Sequence, residues 1–297
     1  MNPRERGFLL LTSQLGNPER NPLSPAQLRR LSAAVSGMTP TEADRELEIS
    51  DLTALGYTPA LAGRILALLQ EEDLLEHYLL RARRAGCAPI TRVTPGYPVA
   101  VRRRLGADAP GCLWAKGDVT LLEKPGIALV GSREPEPVNR AFAREAGRQA
   151  ALQGLVLISG NARGADREAQ EACLEAGGEV ISIVADELAR QTPRTNVLYL
   201  AEEDFDAPFS ALRALRRNRC IHTLGRTVLV AQATLQKGGT WDGASKNLRF
   251  GWSNVCCFDD GSDAARVLTQ MGADPIGMDA LADLPALCKH TRTLFDP

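Results

Sequence analysis

The sequence predicts an α/β fold in which a doubly wound, mostly parallel sheet of the Rossmann-like kind follows a small helical domain. From residue 126 onward, short runs rich in β-branched residues alternate with amphipathic helical segments. These runs lack polar residues at alternate positions, so helices are expected to cover both faces of each strand, as in parallel sheets. Residues 1–84 instead carry apolar residues at spacings of three and four, which is typical of helices.

The same patterns divide the chain into four parts. Residues 1–84 are predicted to form the helical domain, similar to SAM or helix-hairpin-helix modules, in which the loop LGYTP closes one helix and opens the next. Residues 85–125 are rich in glycine and proline and are predicted to be a connecting segment packed on the sheet domain. Residues 126–280 form the Rossmann-like domain, and residues 281–297 form a C-terminal tail.

The strands of the sheet domain can be assigned in order. The segments predicted as strands are IALVGS, LVLISG, EVISIVA, VLYLAEE, TVLVAQA and NVCCF. The helices predicted between them include VNRAFAREAGRQAALQ, ADREAQEACLEAG, FSALRALRRNRCIHTL and TWDGASKNLRF. In a doubly wound sheet, ligands bind beyond the carboxyl ends of the strands, where the strand order reverses. We therefore expect the functional residues in the loops at that edge.

Composition excludes several classes of function. The formal net charge of −1 excludes the whole-protein basic field of nonspecific nucleic-acid binders, so any nucleic-acid site must be a local patch. No apolar run reaches the length of a membrane helix, and we expect a cytoplasmic protein without a membrane partner. The seven cysteines include no CxxC pair, and only three histidines accompany them. We therefore predict buried free thiols and no metal site.

Three strand ends carry glycines and hydrogen-bond donors. The first is Gly131, Ser132 and Arg133; the second is Ser159, Gly160, Asn161, Ala162, Arg163 and Gly164, followed by Asp166; the third is Lys237, Gly238, Gly239 and Thr240. Glycines let backbone amides approach an anion closely, the following helix adds its positive dipole end, and arginine or lysine adds charge. The three loops together predict an anion seat.

Other motifs are absent or incomplete. The sequence contains neither GxGxxG nor GxxxxGK[ST], so we predict no nicotinamide or nucleotide cofactor. Ser132, Asp166 and His222 are the residue types of a catalytic triad, but the GxSxG elbow is missing and we predict no catalytic residue. Asp166 is expected to cap its helix or to order its loop by accepting backbone amides.

One further segment, ALRALRRNRCIHTLG, carries five polar residues close together, Arg213, Arg216, Arg217, Asn218 and Arg219. On a helix, Arg213, Arg216 and Arg217 share one face, and Arg219 points elsewhere. Two interpretations are open. The segment is either a solvated basic face, or it places Asn218 and Arg219 near the crevice that carries Lys237.

The motifs GSR, SGNARGAD, RRNR and KGGTWDGA occur in this order, after the upstream segments ITRVTPGYPVAVRRRL and LWAKGD. Over about residues 5–260, this series resembles the DNA-processing protein A family, also called DprA or Smf. The resemblance implies a Rossmann-like domain that binds single-stranded DNA, forms a homodimer and helps to load the RecA recombinase onto DNA during natural transformation. Members of the family are not known as enzymes.

The resemblance also implies roles for individual residues. It assigns the phosphate pocket to Gly131, Ser132, Arg133, Ser159, Gly160, Arg163, Gly164 and Asp166, the RNR signature to Arg217, Asn218 and Arg219, and the last glycine loop to the residues from Lys237 to Thr240. The chain departs from the family pattern at several points, among them the last loop, which is KGGTW rather than the more frequent SGS type. Glu134 and Glu136 follow GSR and would weaken phosphate binding unless they point outward, and Gln170 replaces a common histidine.

Two other functions share this domain shape. A sensor of a nucleotide-derived ligand is one alternative, and a nucleoside-monophosphate phosphoribohydrolase is the other. The hydrolases carry a catalytic carboxylate three residues after a loop threonine, where this chain has Gly243. For a DNA-binding protein, Trp241 and Phe209 are the aromatic candidates for base stacking, with core packing as the alternative for each.

Overall fold

The computed structural model describes residues 1–36 and 46–288. Its strands, all in one sheet, are β1 (Ala88–Thr91), β2 (Cys112–Lys116), β3 (Gly126–Val130), β4 (Val156–Ser159), β5 (Val180–Val184), β6 (Val197–Ala201), β7 (Thr227–Val230), β8 (Asn254–Phe258) and β9 (Asp274–Ile276). Its α-helices are α1 (Pro3–Thr12), α2 (Pro25–Ser36), α3 (Ile49–Ala54), α4 (Pro59–Leu69), α5 (Glu72–Arg84), α6 (Val99–Leu105), α7 (Pro137–Leu152), α8 (Ala165–Glu175), α9 (Ala211–Leu224), α10 (Gly238–Phe250), α11 (Asp263–Gln270) and α12 (Leu284–Leu287).

The sheet is doubly wound and mostly parallel, which confirms the predicted fold class. The strand order is β1-β2-β6-β5-β4-β3-β7-β8-β9, and only the β1–β2 and β2–β6 pairs are antiparallel. From β3 the chain builds outward to β6, then returns to the other side of β3 to add β7, β8 and β9. The switch point of the sheet therefore lies between β3 and β7, where a ligand crevice is expected.

Both faces of the sheet are covered, because successive side chains of each strand point to opposite sides. On β4, Leu157 packs on the face covered by α7 and α8, with Phe142 and Cys173. Its neighbours Val156 and Ile158 pack on the other face, in the core that includes Cys220 of α9 and Ala244 of α10. This arrangement explains why the parallel strands β3 to β7 are buried throughout. None of the helices in the described ranges combines the length and the apolar character that crossing a lipid bilayer requires.

The N-terminal region is helical, as predicted, and part of it shares the core of the sheet. A separate small core contains Leu52, Tyr57 and Ile65. In contrast, Tyr78 of α5 contacts Trp114 of β2 edge to face, with ring centroids 5.5 Å apart. The segment from residue 85 to 125, expected to be a connection, supplies the strands β1 and β2 of the sheet.

A buried polar cluster connects α9, α10 and the residue that precedes β8. His222 is fully buried, and its Nδ1 lies 3.1 Å from Nδ2 of Asn247. The same amide nitrogen donates to the hydroxyl of Ser253 at 2.9 Å, and that hydroxyl donates to the carbonyl oxygen of His222 at 2.7 Å. Burial lowers the pKa of His222 to about 4, because a charged imidazolium would lose its hydration there. The neutral form is therefore the one that the fold stabilises.

We expect His222 to make the folded state less stable as the pH falls from about 6.5 to about 4, because the unfolded chain binds the proton more readily over this range. The loss from this one group is at most about 3 kcal/mol. Urea unfolding of the wild type and of His222→Gln across this range measures it: the difference in stability between them should shrink toward low pH. A constant difference would contradict the prediction, and His77→Gln, on the exposed face of α5, is the control.

Candidate functional site

Three loops meet at the carboxyl edge of the sheet on either side of the switch point. We define loop 1 as residues 131–136, between β3 and α7, loop 2 as residues 160–164, between β4 and α8, and loop 3 as residues 231–237, between β7 and α10. Each loop leads into the amino end of a helix, where the first backbone N–H groups lack carbonyl partners within the helix. The positive dipole ends of α7, α8 and α10 are thus gathered at one edge, as an anion site requires.

Gly131 joins the three loops. Its backbone N–H donates to the carboxylate of Asp166 on α8, and its carbonyl oxygen accepts a 2.9 Å hydrogen bond from the hydroxyl of Thr240 on α10. A Cβ at this position would lie 2.5 Å from the Cβ of Ala165 and 3.2 Å from that of Ala231. The close packing leaves no room for a side chain, so glycine is required for loops 1, 2 and 3 to come together.

Gly164 brings loop 2 against the backbone of loop 1. Its φ of +88° lies in the left-handed region, and a Cβ there would lie 2.5 Å from the carbonyl oxygens of both Ser132 and Arg133. The next residue, Ala165, donates its N–H to the carbonyl oxygen of Ser132 at 3.0 Å. Asn161, in the same loop, also has a positive φ, of 56°. Loop 2 is therefore held in a conformation that suits glycine and asparagine.

A buried carboxylate orders the seat from beneath. Asp166 accepts the backbone N–H groups of Ala162, Gly131 and Gly160, which confirms the expectation that it orders its loop. Burial raises the pKa of Asp166 to about 6, while the positive charge of Arg217 and the three N–H groups act in the opposite direction. At neutral pH the carboxylate is therefore mostly ionised, and it balances the charge of Arg217.

Arg217 lies under loop 2. Its side chain is buried, and its Nη1 donates to the carbonyl oxygen of Ile183 at the end of β5. A Cβ on Gly160 would overlap this Nη1 and would lie 2.6 Å from Oδ2 of Asp166. The small residue at position 160 thus lets arginine and aspartate pack beneath the loop. Ser159, the last residue of β4, is also buried and donates to the carbonyl oxygen of Leu129 at 2.9 Å.

The other two residues of the RNR signature contact two different parts of the fold. The Nδ2 atom of Asn218 donates to the carbonyl oxygen of Gly239 at 3.1 Å, so Asn218 holds the first turn of α10. Arg219 pairs instead with Glu202 and donates to the carbonyl oxygen of Asp108 at 2.9 Å. Successive helical residues point about 100° apart, so the two side chains diverge. The crevice near Lys237 therefore receives Asn218 but not Arg219.

Two exposed cations border the seat without a carboxylate partner in the described part of the chain. They are Arg133, in loop 1, and Lys237, the residue that precedes the first turn of α10. Gly238 follows with a φ of +78° and leaves this turn open to solvent. Both cations are free to bind an anion.

The third cation of the seat, Arg163, is already paired. Its guanidinium contacts the carboxylate of Glu134, and both side chains are largely exposed. Glu134 therefore turns toward the seat, whereas the side chain of Glu136 is exposed at the amino end of α7. One of the two acidic residues that depart from the family pattern thus competes with an anion for Arg163.

The two aromatic candidates differ in accessibility. Phe209, which precedes α9, is 56% exposed. Trp241, in the first turn of α10, is half-buried and packs against the apolar core on its side of the sheet. Phe209 is therefore the more accessible of the two rings.

Two residues that hold the loops in place were not predicted from sequence patterns. Gln232, in loop 3, accepts the N–H of Glu136 through its Oε1 at 3.0 Å, which ties loop 3 to loop 1. Asn139 on α7 is buried and donates to the carbonyl oxygen of Ala231 at 2.8 Å and to Asp260 at 2.7 Å. An asparagine on the apolar face of α7 is the only signal that could have indicated the second of these contacts.

The three residue types of a catalytic triad are placed in different environments. The hydroxyl of Ser132 accepts the N–H of Glu134 at 3.1 Å, and Asp166 is occupied by backbone N–H groups. His222 lies in the core with Asn247. Among the described residues, these contacts do not connect the serine to the histidine or the histidine to the aspartate.

Comparisons with known proteins identify a family and related sequences. The family model described as DNA recombination-mediator protein A matches residues 88–277. Protein Smf of Escherichia coli (strain K12) is 32% identical over 142 residues, which are 44% of this chain and 38% of the relative. DNA processing protein DprA of Streptococcus pneumoniae (strain ATCC BAA-255 / R6) is 32% identical over 195 residues, 59% of this chain and 67% of the relative. The match to the Escherichia coli protein thus spans well under half of that protein.

Solved structures show the same fold. DNA processing protein A from Streptococcus pneumoniae superposes with a TM-score of 0.65 at 24% identity, covering 88% of this chain and 98% of that chain. The Helicobacter pylori DNA processing protein A, described for its single-stranded DNA binding mode, gives a TM-score of 0.58 at 24% identity over 69% of this chain and 97% of that one.

The close packing at Gly164 predicts a large effect of a single methyl group. Gly164→Ala should destabilise the protein more than Gly177→Ala, by about 2 kcal/mol, because only position 164 adds overlap with backbone atoms to the left-handed strain. Gly177, with a φ of +80° and open space around it, is the matched control. The free energy of unfolding in urea is the measurement, and equal losses would contradict the packing described for loop 2.

Proposed function

The chain belongs to the DNA recombination-mediator protein A family, and from this premise we propose that it binds the backbone of single-stranded DNA at the seat formed by loops 1, 2 and 3. The observation that carries the proposal is the convergence of three helix amino ends and two unpaired exposed cations at the switch point. Arg133 and Lys237 would contact phosphate oxygens, and the open amino end of α10 would add backbone donors.

The seat suits recognition of a phosphate rather than of a base sequence. Its floor is made of backbone, glycine and the Asp166–Arg217 pair, so it offers no set of side chains to read base edges. Binding through phosphates releases counterions, and the affinity should fall steeply as salt rises. Phe209 is the more exposed of the two aromatic candidates, and we propose that it stacks on an unpaired base.

The proposed role is binding without catalysis. Support comes from the residues that a reaction would need: Asp166 is buried under loop 2 and His222 lies in the core, so neither reaches a ligand in the seat. The same placement gives no support to a phosphoribohydrolase, which also lacks its carboxylate at Gly243.

The wider role follows from the family. We propose that the protein is a recombination mediator of DNA uptake and natural transformation, that it acts in the cytoplasm as a homodimer, and that it transfers bound single-stranded DNA to a RecA recombinase. Family membership is the support for these partners.

The two free cations are the direct test of the seat. Arg133→Ala and Lys237→Ala should each lower the affinity for oligo-dT about tenfold, and each should reduce the slope of log K against log salt by about 0.7. Fluorescence anisotropy over a salt series measures both quantities. Arg194→Ala, at an exposed arginine with no carboxylate partner in the described ranges, should change neither. Absence of wild-type binding at micromolar protein and about 50 mM salt would refute the proposal.

The Arg163–Glu134 pair predicts a gain of affinity. Glu134→Gln removes the carboxylate that occupies Arg163, so the affinity for oligo-dT should rise about threefold to tenfold and the salt dependence should become steeper. Glu175→Gln, which breaks another exposed pair with Arg144, is the matched control and should have no effect. If Glu134→Gln binds no more tightly than the wild type, Arg163 is not a DNA contact.

A further inference from the structure

A second cationic surface lies at the opposite end of the parallel strands from the seat. We call it the amino-end surface and define it by Arg103 of α6, Arg226 before β7, Arg249 and Phe250 at the end of α10, and Trp252 before β8. All but the half-buried Trp252 are exposed. The helix α10 has 13 residues and is about 20 Å long, so it separates this surface from the seat at its other end.

Arg104 fixes one half of this surface. Its Nη1 donates to the carbonyl oxygens of Thr223 at 2.7 Å and Gly225 at 2.6 Å, and so satisfies the carboxyl end of α9. Arg103 precedes Arg104 in the chain, and Arg226 follows Gly225, whose carbonyl oxygen Arg104 contacts. Burial lowers the pKa of Arg104, and the charges of Arg103 and Arg226 lower it further. Three guanidinium groups are thus gathered around the end of one helix.

Strand pairing places this arginine cluster beside the aromatic residues of the amino-end surface. Thr227 of β7 pairs with Asn254 of β8, which sets Arg226 beside the residues that lead into β8. Two residues before Asn254, Trp252 stacks on Phe250 with ring centroids 5.6 Å apart and planes 20° apart. The guanidinium carbon of Arg249 lies 5.5 Å from the centre of the Phe250 ring, which is 59% exposed.

The charge of this surface is not neutralised within residues 1–36 and 46–288. Arg103, Arg226 and Arg249 have no carboxylate within ion-pair distance there, although the net charge of the whole chain is only −1. Elsewhere arginines are commonly paired, for example Arg140 and Arg144 with Glu168 on the helices of the other face. A cluster of like charges without counter-charge costs stability, and a polyanion would remove that cost.

We propose that the amino-end surface is a second contact for single-stranded DNA, in which Arg103 and Arg226 bind backbone phosphates and Phe250 stacks on an unpaired base. The chemistry is complementary on both counts, since guanidinium groups pair with phosphates and an exposed aromatic face accepts any base. The surface extends the function proposed for the seat, because one strand longer than α10 could then contact both ends of the domain.

The test compares two lengths of oligo-dT. A strand of about 3 nucleotides is too short to join the two sites even when its backbone is fully extended, whereas a strand of about 30 nucleotides can reach both. Arg103→Gln/Arg226→Gln should lower the affinity for the long strand about tenfold, should reduce the salt slope by about 1.4, and should leave the short strand unaffected. Arg104 is kept, because it holds α9.

The matched control is Arg83→Gln/Arg84→Gln, which removes the same charge from two exposed arginines of α5 that have no carboxylate partner in the described ranges. It should change neither affinity. Phe250→Ala should weaken binding of the long strand about fivefold, whereas Leu152→Ala, at another exposed apolar side chain, should not.

The inference is overturned if Arg103→Gln/Arg226→Gln and Phe250→Ala both bind the long strand as tightly as the wild type does. It is also overturned if the control variant loses as much affinity for the long strand as Arg103→Gln/Arg226→Gln does. Failure of the seat is distinguishable. In that case Arg133→Ala and Lys237→Ala leave the affinity for the short strand unchanged, whereas the long strand still depends on Arg103 and Arg226 if the amino-end surface binds DNA.

Discussion

The buried carboxylate of Asp166 is the interaction on which the site depends. It accepts backbone N–H groups from loops 1 and 2, and the neighbouring charge of Arg217 offsets part of the cost of burying it. Gly131, one of its donors, also accepts a hydrogen bond from the hydroxyl of Thr240 on α10. Asp166 therefore helps to order all three loops. The exposed cations at the rim are useful only because this floor holds the loops together.

The arginines of this chain divide into structural and available groups. The structural group donates hydrogen bonds to backbone carbonyls or to a buried carboxylate and so joins segments that are distant in sequence. It includes Arg217, Arg219 and Arg104. Arg133 and Arg226 have no such partners in the described residues and lie at opposite ends of the strands. A nearly neutral protein can therefore present two local cationic surfaces, because acidic residues pair with arginines elsewhere, as Glu168 does with Arg140 and Arg144.

The pair between Arg163 and Glu134 gives the seat a feature of its own. A carboxylate at this position occupies a cation that could otherwise bind phosphate, so DNA bound at the proposed seat would have to displace it. Because both side chains are exposed, the pair is weak, and displacement costs about 1 kcal/mol or less. The expected result is a seat with lower affinity and a smaller salt dependence than its cation count would indicate.

The sequence by itself determined the fold class, the strands from β3 to β8 and the positions of the three glycine loops, because burial on both faces and glycine at strand ends leave local patterns. It also indicated that Asp166 would bind backbone amides. Only the tertiary structure decided which cations are free. Arg163 and Glu134 are 29 residues apart, and Arg219 and the carbonyl of Asp108 are 111 residues apart. Long side chains choose partners across the fold, and such pairs leave no periodic signal in the chain.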